Sequence, residues 1–323
     1  MPSICWPEAK KDGEKACFRA EKRIFVEHMK NGLSILIPTY NDDCSALVAA
    51  LSAQACQSGA SYEIIVGDDG STTTAVRERN AQACTAAHCR YFRREANGGR
   101  AAIRNQLARQ AQYDWLLFID CHVDVAHDFI SNYASWQGHE AVVCGGVKAG
   151  GDAHAWNGNL RYRYEHAAET RHDVSARRSE PYQSFRTTNF MIRRETALAH
   201  PFDEHFRNYG YEDVLYGKQL EQQGIGIAHI SNEVAINHYE SNRRYIEKME
   251  EALCTLHAFS SELRGYSRLL SLADRLKSWH LEPAIAWLFR HSKGLLRRNL
   301  CSRHPSLSLF TAYRLGYFLE IEG

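Results

Sequence analysis

Asp120 and His122 stand two residues apart at the end of an apolar run, Trp115-Leu116-Leu117-Phe118-Ile119, and together offer a carboxylate oxygen and an imidazole nitrogen to one divalent cation. On extended backbone, side chains two apart leave the same face. A mixed oxygen and nitrogen set suits Mn2+ or Mg2+ once water or phosphate oxygens fill the remaining positions. The plainer alternative is an Asp capping the next turn beside a solvated His. A second acidic pair, Glu212-Asp213, opens a helical stretch behind Tyr209-Gly210-Tyr211. Its carboxylates can take up a proton or complement the positive end of the helix. In Asn97-Gly98-Gly99 the glycines let backbone approach a ligand closely, and the helix start behind them favours an anion.

Five apolar side chains without alternation fit a strand covered on both faces, as in the middle of a parallel sheet. Such a strand delivers its last residues to the carboxyl edge, where open α/β sheets bind ligands. Upstream, the strand from 33 is stopped by Pro38, and Asn41 or Asp42 can cap the helix that follows. Strand 62–67 runs into the turn Asp68-Asp69-Gly70, and a short strand near 90–93 precedes a helix with Ile103 and Leu107 turned inward. Strands and helices alternating from 33 to 124 require a parallel sheet with right-handed crossovers. The stretch 148–186 has no sustained period and reads as a cover over a site or as short helices such as 160–169. Its Trp156, Tyr162, Tyr164 and Tyr182 can stack on a ligand's rings or simply pack. Further on, 211–223 is a helix ended by Gly224, and strands 226–230 and 234–238 finish the sheet. From 241 onward Leu/Ile spacing gives only helices: 243–263, 267–279, 283–296 and 306–319. The organisation read from this is an adaptor at 1–32, an α/β domain at 33–240 and a helical region at 241–323.

With 39 Lys+Arg against 38 Asp+Glu in 323 residues, the chain is no polyelectrolyte built for nucleic acid. The charge is uneven, however: nine Lys/Arg and two Asp/Glu fall between 264 and 303. There Leu281, Ile285, Trp287, Leu288 and Leu295 mingle with Arg290, Lys293, Arg297 and Arg298. That pattern suits peripheral contact with an anionic membrane, a cap over the sheet, or a second subunit in a homodimer. Ten Cys without a C-x-x-C pair, behind an N-terminus with no apolar leader, read as reduced thiols of a cytoplasmic protein. No run reaches the roughly 18 apolar residues of a membrane span.

Pro38-Thr39-Tyr40-Asn41, Val66-Gly67-Asp68-Asp69-Gly70-Ser71, Asn97-Gly98-Gly99 with Arg104-Asn105, Phe118-Ile119-Asp120-x-His122 and Tyr209-Gly210-Tyr211-Glu212-Asp213, in this order, resemble the family 2 nucleotide-sugar glycosyltransferases of the GT-A fold. The resemblance covers 33–238, about two thirds of the chain. It implies a Rossmann-like, mostly parallel sheet flanked by helices, with a C-terminal helical extension. It also implies inverting transfer of a sugar from a nucleotide donor, a UDP-sugar by preference, to a hydroxyl of a glycan or lipid-linked acceptor in surface polysaccharide synthesis. Thr39, Asp68 and Asp69 would meet the uracil N3 proton and a ribose hydroxyl, with Pro38, Tyr40, Asn41, Asn97, Gly98 and Cys121 around the donor. Arg104, of the family's Arg-Asn pair, would bring positive charge to the nucleotide. D-x-H departs from the commoner D-x-D and is similar to that of the polypeptide N-acetylgalactosaminyltransferases, where a second His lies much later in the chain. By that likeness Asp120 contacts ribose and metal, while His122 and His238 ligate the ion. A lost metal site, or Asp124 standing in, stays open. Asp213 is the expected general base, with Glu212 orienting a neighbouring group. The rival classes are a sugar nucleotidyltransferase, which usually carries a Gly-rich loop where this chain has Pro-Thr-Tyr-Asn, and a non-catalytic carbohydrate-binding descendant.

Overall fold

Every second side chain of the first strands enters one of two apolar layers, so the sheet is dry on both faces. The computed structural model describes residues 32–322, and all but the last residue of the expected adaptor lies outside them. In chain order the first half comprises β1 (Leu33–Thr39), α1 (Ser45–Ser58), β2 (Tyr62–Asp68), α2 (Thr74–Ala83), β3 (Cys89–Arg93), α3 (Arg100–Gln110), β4 (Trp115–Ile119), β5 (Val123–Asp124), α4 (Phe129–Ala134), β6 (Val142–Cys144) and β7 (Val147–Ala149). There follow α5 (Ala153–Trp156), α6 (Leu160–Ala168), α7 (Val174–Ser179), β8 (Asn189–Arg193), α8 (Arg194–Ala199), α9 (Glu212–Gln222), β9 (Ile227–His229) and β10 (Val234–Ile236). The C-terminal helices are α10 (Asn242–Ala258), α11 (Ser260–Leu263), α12 (Arg268–Ser278), α13 (Glu282–Leu300) and α14 (Leu307–Glu322).

Ile35, Ile37, Ile64, Val66, Leu117 and Ile119 pack toward Leu47, Val48 and Leu51 of α1. On the other face Leu36, Ile65, Leu116 and Phe118 pack toward Ile103 and Leu107 of α3. Removing each such side chain from water stabilises the fold by about 1.5–3 kcal/mol. The main sheet runs β3-β2-β1-β4-β8-β6-β9. Strands β1 to β4 are mutually parallel, while β8 lies antiparallel to β4 and β6. The chain steps outward from β1 through β2 to β3 and then returns to the other side of β1. The strand order therefore reverses between β1 and β4, the place where a crevice opens at the carboxyl ends.

The ending of the sheet differs from the sequence reading. β9 does join the main sheet, but β10 leaves it for a second sheet, ordered β5-β10-β7. Besides its pairing with β5 and β7, backbone bonds from Asn237 N–H to His122 O at 3.2 Å, Val234 N–H to Gly146 O at 3.2 Å and Gly150 N–H to Ile236 O at 3.0 Å hold it there. Short helices and one 3-10 turn, Glu169–His172, occupy the stretch that lacks a period. The start of α1 also differs: Cys44 is its N-cap, the Asp43 carboxylate just before it accepts from Ser45 N–H at 3.0 Å, and the side chains of Asn41 and Asp42 are used elsewhere. Phe206 and Leu215 share one apolar cluster with Leu253, Leu256, Leu270 and Phe318, so the helices after 241 pack directly on the α/β part.

Candidate active site

The rim of β1, β2 and β4 is built by side chains bridging one strand end to the next. Thr39, at the end of β1, donates to Asp42 O at 2.8 Å and so turns the chain back over the sheet edge. Asn41 takes a left-handed conformation, φ 59°, and its side-chain oxygen accepts from Thr72 and Thr73 N–H at 2.8 and 3.0 Å. Pro38 is half-buried and Tyr40 exposed beside it. Asp68 is fully buried, with one oxygen accepting from Ser71 N–H at 2.7 Å and the other from the Tyr91 hydroxyl. Asp69 accepts from Gly98 and Gly99 N–H at 3.0 and 2.9 Å, with Arg94 at 3.3 Å. The anion that fills the Gly98-Gly99 turn is therefore a carboxylate of this chain, and Asn97 closes the same turn onto Gly99 N–H at 3.0 Å. Burial raises the Asp69 carboxyl above its usual range, against the pull of those N–H groups and Arg94.

Strand β4 ends at Ile119, so Asp120 and His122 do not continue one extended face. Asp120 turns toward α3 and meets Arg104 at 3.0 Å. His122 turns the other way, with Nε2 2.8 Å from Asp42 Oδ2. Its ring centre lies 5.4 Å from that of His238, just beyond β10. Asp42, Cys121 and His122 offer ligand atoms that all lie within 4.8 Å of one another, which suits a single cation. Neither Asp120 nor His238 is in that cluster. The Cys121 thiol, 3.7 Å from Asp42, is held well above its usual pKa, first by burial and then by the carboxylates of Asp42 and Asp120. Asp124 is engaged by Asn237 at 2.7 Å.

On the opposite wall, Arg104 is 1% exposed and spans two carboxylates: Asp120, and Glu212 at 3.5 Å. Arg104 thus lies beneath the rim as a strut between β4 and α9. Its neighbour Asn105 holds the loop before α9, through both Phe202 N–H and Phe202 O at 2.9 Å. Arg100 also reaches Glu212, at 3.6 Å, and stacks on Tyr209. Asp213 opens α9 behind Gly210 and Tyr211, both at positive φ, which bends the chain so that the helix starts at the crevice. Its carboxyl is raised above the usual range, by burial first and also by the charge of Glu212; Arg186, 3.7 Å away, and Val214 N–H oppose the shift. Thr188, two residues after Arg186, accepts the backbone N–H of Asp120 at 3.0 Å, so the two walls are tied together. Of the aromatics in 148–186, Trp156 and Tyr162 pack on Tyr239, and Tyr164 packs on Phe310.

Two residues of this site were not singled out for it from the sequence. Asp42 looked like a helix cap, and only the β1/β4 adjacency puts it against His122. Arg186 lay in a stretch without periodicity, and no local pattern distinguishes it.

The family described as Glycosyl transferase family 2 matches residues 34–200. An uncharacterized glycosyltransferase of Haemophilus influenzae is 35% identical over 88 residues, 27% of this chain and 28% of that protein. A hyaluronan synthase of Pasteurella multocida is 26% identical over 250 residues, 64% of this chain and 24% of that protein. The chain thus spans about a quarter of the length of these two relatives. Among solved structures, mannosyl-3-phosphoglycerate synthase from Rubrobacter xylanophilus superposes with a TM-score of 0.52 at 14% identity, over 76% of this chain and 77% of that one.

Proposed function

The chain belongs to glycosyl transferase family 2 and is a glycosyltransferase of the GT-A fold, and from that premise we propose that it moves a sugar, with inversion, from a nucleotide donor to an acceptor hydroxyl with the help of a divalent cation. A UDP-sugar is the favoured donor, and a glycan or lipid-linked molecule the favoured acceptor. What supports this reading is the meeting of two kinds of group at the β1/β4 crevice: imidazole and carboxylate ligands on one wall, and a carboxyl with raised proton affinity on the other.

The donor set fits Mn2+ or Mg2+. His122 would supply nitrogen and Asp42 oxygen, with the Cys121 thiol beside them, and His238, its ring centre 5.4 Å from that of His122, would add a second imidazole. Asp120, held at one oxygen by Arg104, keeps its other oxygen for the donor or the ion. When bound, the ion would supply positive charge to the departing diphosphate. Asp213 takes the proton from the acceptor hydroxyl; its burial makes the ionised form a better base than an ordinary carboxylate. Glu212 does not share that task, because Arg104 and Arg100 neutralise it. The loop bonds of Asn41, Asp68 and Asp69 shape the floor on which the nucleotide rests.

A panel of nucleotide sugars screened by thermal shift with and without Mn2+, followed by transfer or hydrolysis assays, tests the reading. One donor should raise the melting temperature only with metal present and be turned over. Stabilisation by none, or turnover that ignores both Mn2+ and chelator, contradicts it.

A further inference from the structure

We propose that the outward face of α13 is a docking surface for an anionic phospholipid bilayer. The helix is apolar on two opposite sides. Ala286, Phe289 and Leu300 are buried, with Phe289 lying against Tyr313 and Gly316 of α14. Half a turn round, Ala284, Trp287, Leu288, His291 and Leu295 recur at three- and four-residue spacing along the exposed side. Trp287, Leu288 and Leu295 are 57%, 60% and 72% exposed, and a side chain built at Gly294 would meet open space. Trp279 and Leu281, in the turn from α12, are exposed as well. A helix with apolar groups on both sides is covered on both sides where it works.

Charge identifies the cover. Most nearby acids already have partners: Glu320 pairs with Lys293 at 2.6 Å, Glu322 with Lys277 at 2.8 Å, Glu250 with Arg297 at 2.6 Å and Asp274 with Arg264 at 3.6 Å, whereas Glu282, in the first turn of α13, has no ion-pair partner among the described residues. Arg290 and Arg298, at the margins of the apolar stripe, pair with no carboxylate among the described residues, and Arg275 lies over Trp279. Exposed Trp and Leu rimmed by unneutralised Arg match the boundary of an anionic bilayer, where leucines enter the acyl region, indoles sit at headgroup depth and guanidinium groups meet phosphate. A second copy of the chain laid on this face about a two-fold axis would bring like-charged arginines together. No helix of the described residues is long and apolar enough to cross a membrane, so the contact is adsorption in the plane of the interface. α14 packs against both α13 and α10, and Gly210, beside the start of α9, meets Ala252 of α10. α13, α14 and α10 therefore lie between the docked face and the start of α9. This reach bears on a lipid-carried acceptor only if the transfer reading holds; adsorption itself does not depend on that reading.

The test is co-flotation of the full chain with vesicles of phosphatidylcholine alone, or of phosphatidylcholine and phosphatidylglycerol in equal parts, at low and high salt. The protein should float with the anionic vesicles only, leave them in high salt, and shift its tryptophan emission to the blue on binding. Trp287→Glu with Leu295→Glu, at exposed positions whose change leaves the circular dichroism spectrum and melting temperature unaltered, should lower partitioning roughly tenfold or more, and so should Arg290→Glu with Arg298→Glu. Absence of flotation with either vesicle overturns the proposal, as does unchanged binding by both double variants. Light scattering that shows a dimer, made monomeric by Trp287→Glu with Leu295→Glu and indifferent to vesicles, overturns it in favour of a second copy.

Discussion

At Asp213 the raised proton affinity that the proposed base role requires comes at the expense of stability. Its folded carboxyl is raised above the ordinary value of 3.8, chiefly by burial, so the charged form is disfavoured in the native state. The sign follows from linkage: a group raised on folding contributes stability below its unfolded pKa, and that contribution is lost as pH rises through the folded value. Asp213→Asn should therefore melt higher than the parent at neutral pH, with the gap closing as pH falls toward the ordinary carboxyl range. The same variant should transfer sugar roughly a hundredfold or more slowly while binding donor as the parent does. Melting curves against pH, together with steady-state rates, check both; a lower melting temperature with unchanged turnover would remove Asp213 from the role. At this scale the sequence located the acids and the imidazole at a strand end and a helix start but not their partners: Asp120 and His122 turn apart, and Glu212 is taken up by Arg104 and Arg100. It was least legible where partners come from different strands, as with Asp42 beside His122, because no local spacing encodes that meeting.

Among elements, Arg104 is the joint that holds β4 and α9 at a fixed separation. Its charge is balanced by buried Glu212 on one side and by partly exposed Asp120 on the other. Arg104→Met leaves both acids without that partner, and loss of one member of a buried ion set typically costs about 3–5 kcal/mol. Urea denaturation should show a loss of that order. Arg104→Lys should fall between, since one ammonium cannot reach both carboxylates as a guanidinium fork does. A loss below about 1 kcal/mol for Arg104→Met would show that the pairing is a surface-like one. The sequence carried the alternation of strands and helices up to β4 because unbroken apolar runs such as Trp115–Ile119 declare both their depth and their direction. It did not carry β10 into a separate sheet. Val234–Ile236 is only three residues long, and its partners, β5 and β7, are equally short. Strands of that length are defined by what lies beside them rather than by their own pattern.

Across the whole molecule, the apolar cluster around Phe206, Leu215, Leu253, Leu270 and Phe318 makes the C-terminal helices part of the same folding unit as the sheet. Heat or denaturant should then unfold the chain in one transition seen alike by near-ultraviolet and far-ultraviolet dichroism; two separated transitions would show that the helical region folds alone. Helix periods from 241 onward were readable because Leu/Ile spacing is regular there, although one apolar pattern could not say which side of α13 was covered. The proposed transfer requires a cation at the β1/β4 crevice, beside Asp42 and His122 and within reach of His238. Its most direct test is calorimetry of UDP binding to the parent and to His122→Ala, each with Mn2+ and with chelator. The account predicts binding that requires Mn2+ and weakens roughly tenfold or more in the variant; equal affinity in all four titrations would contradict it.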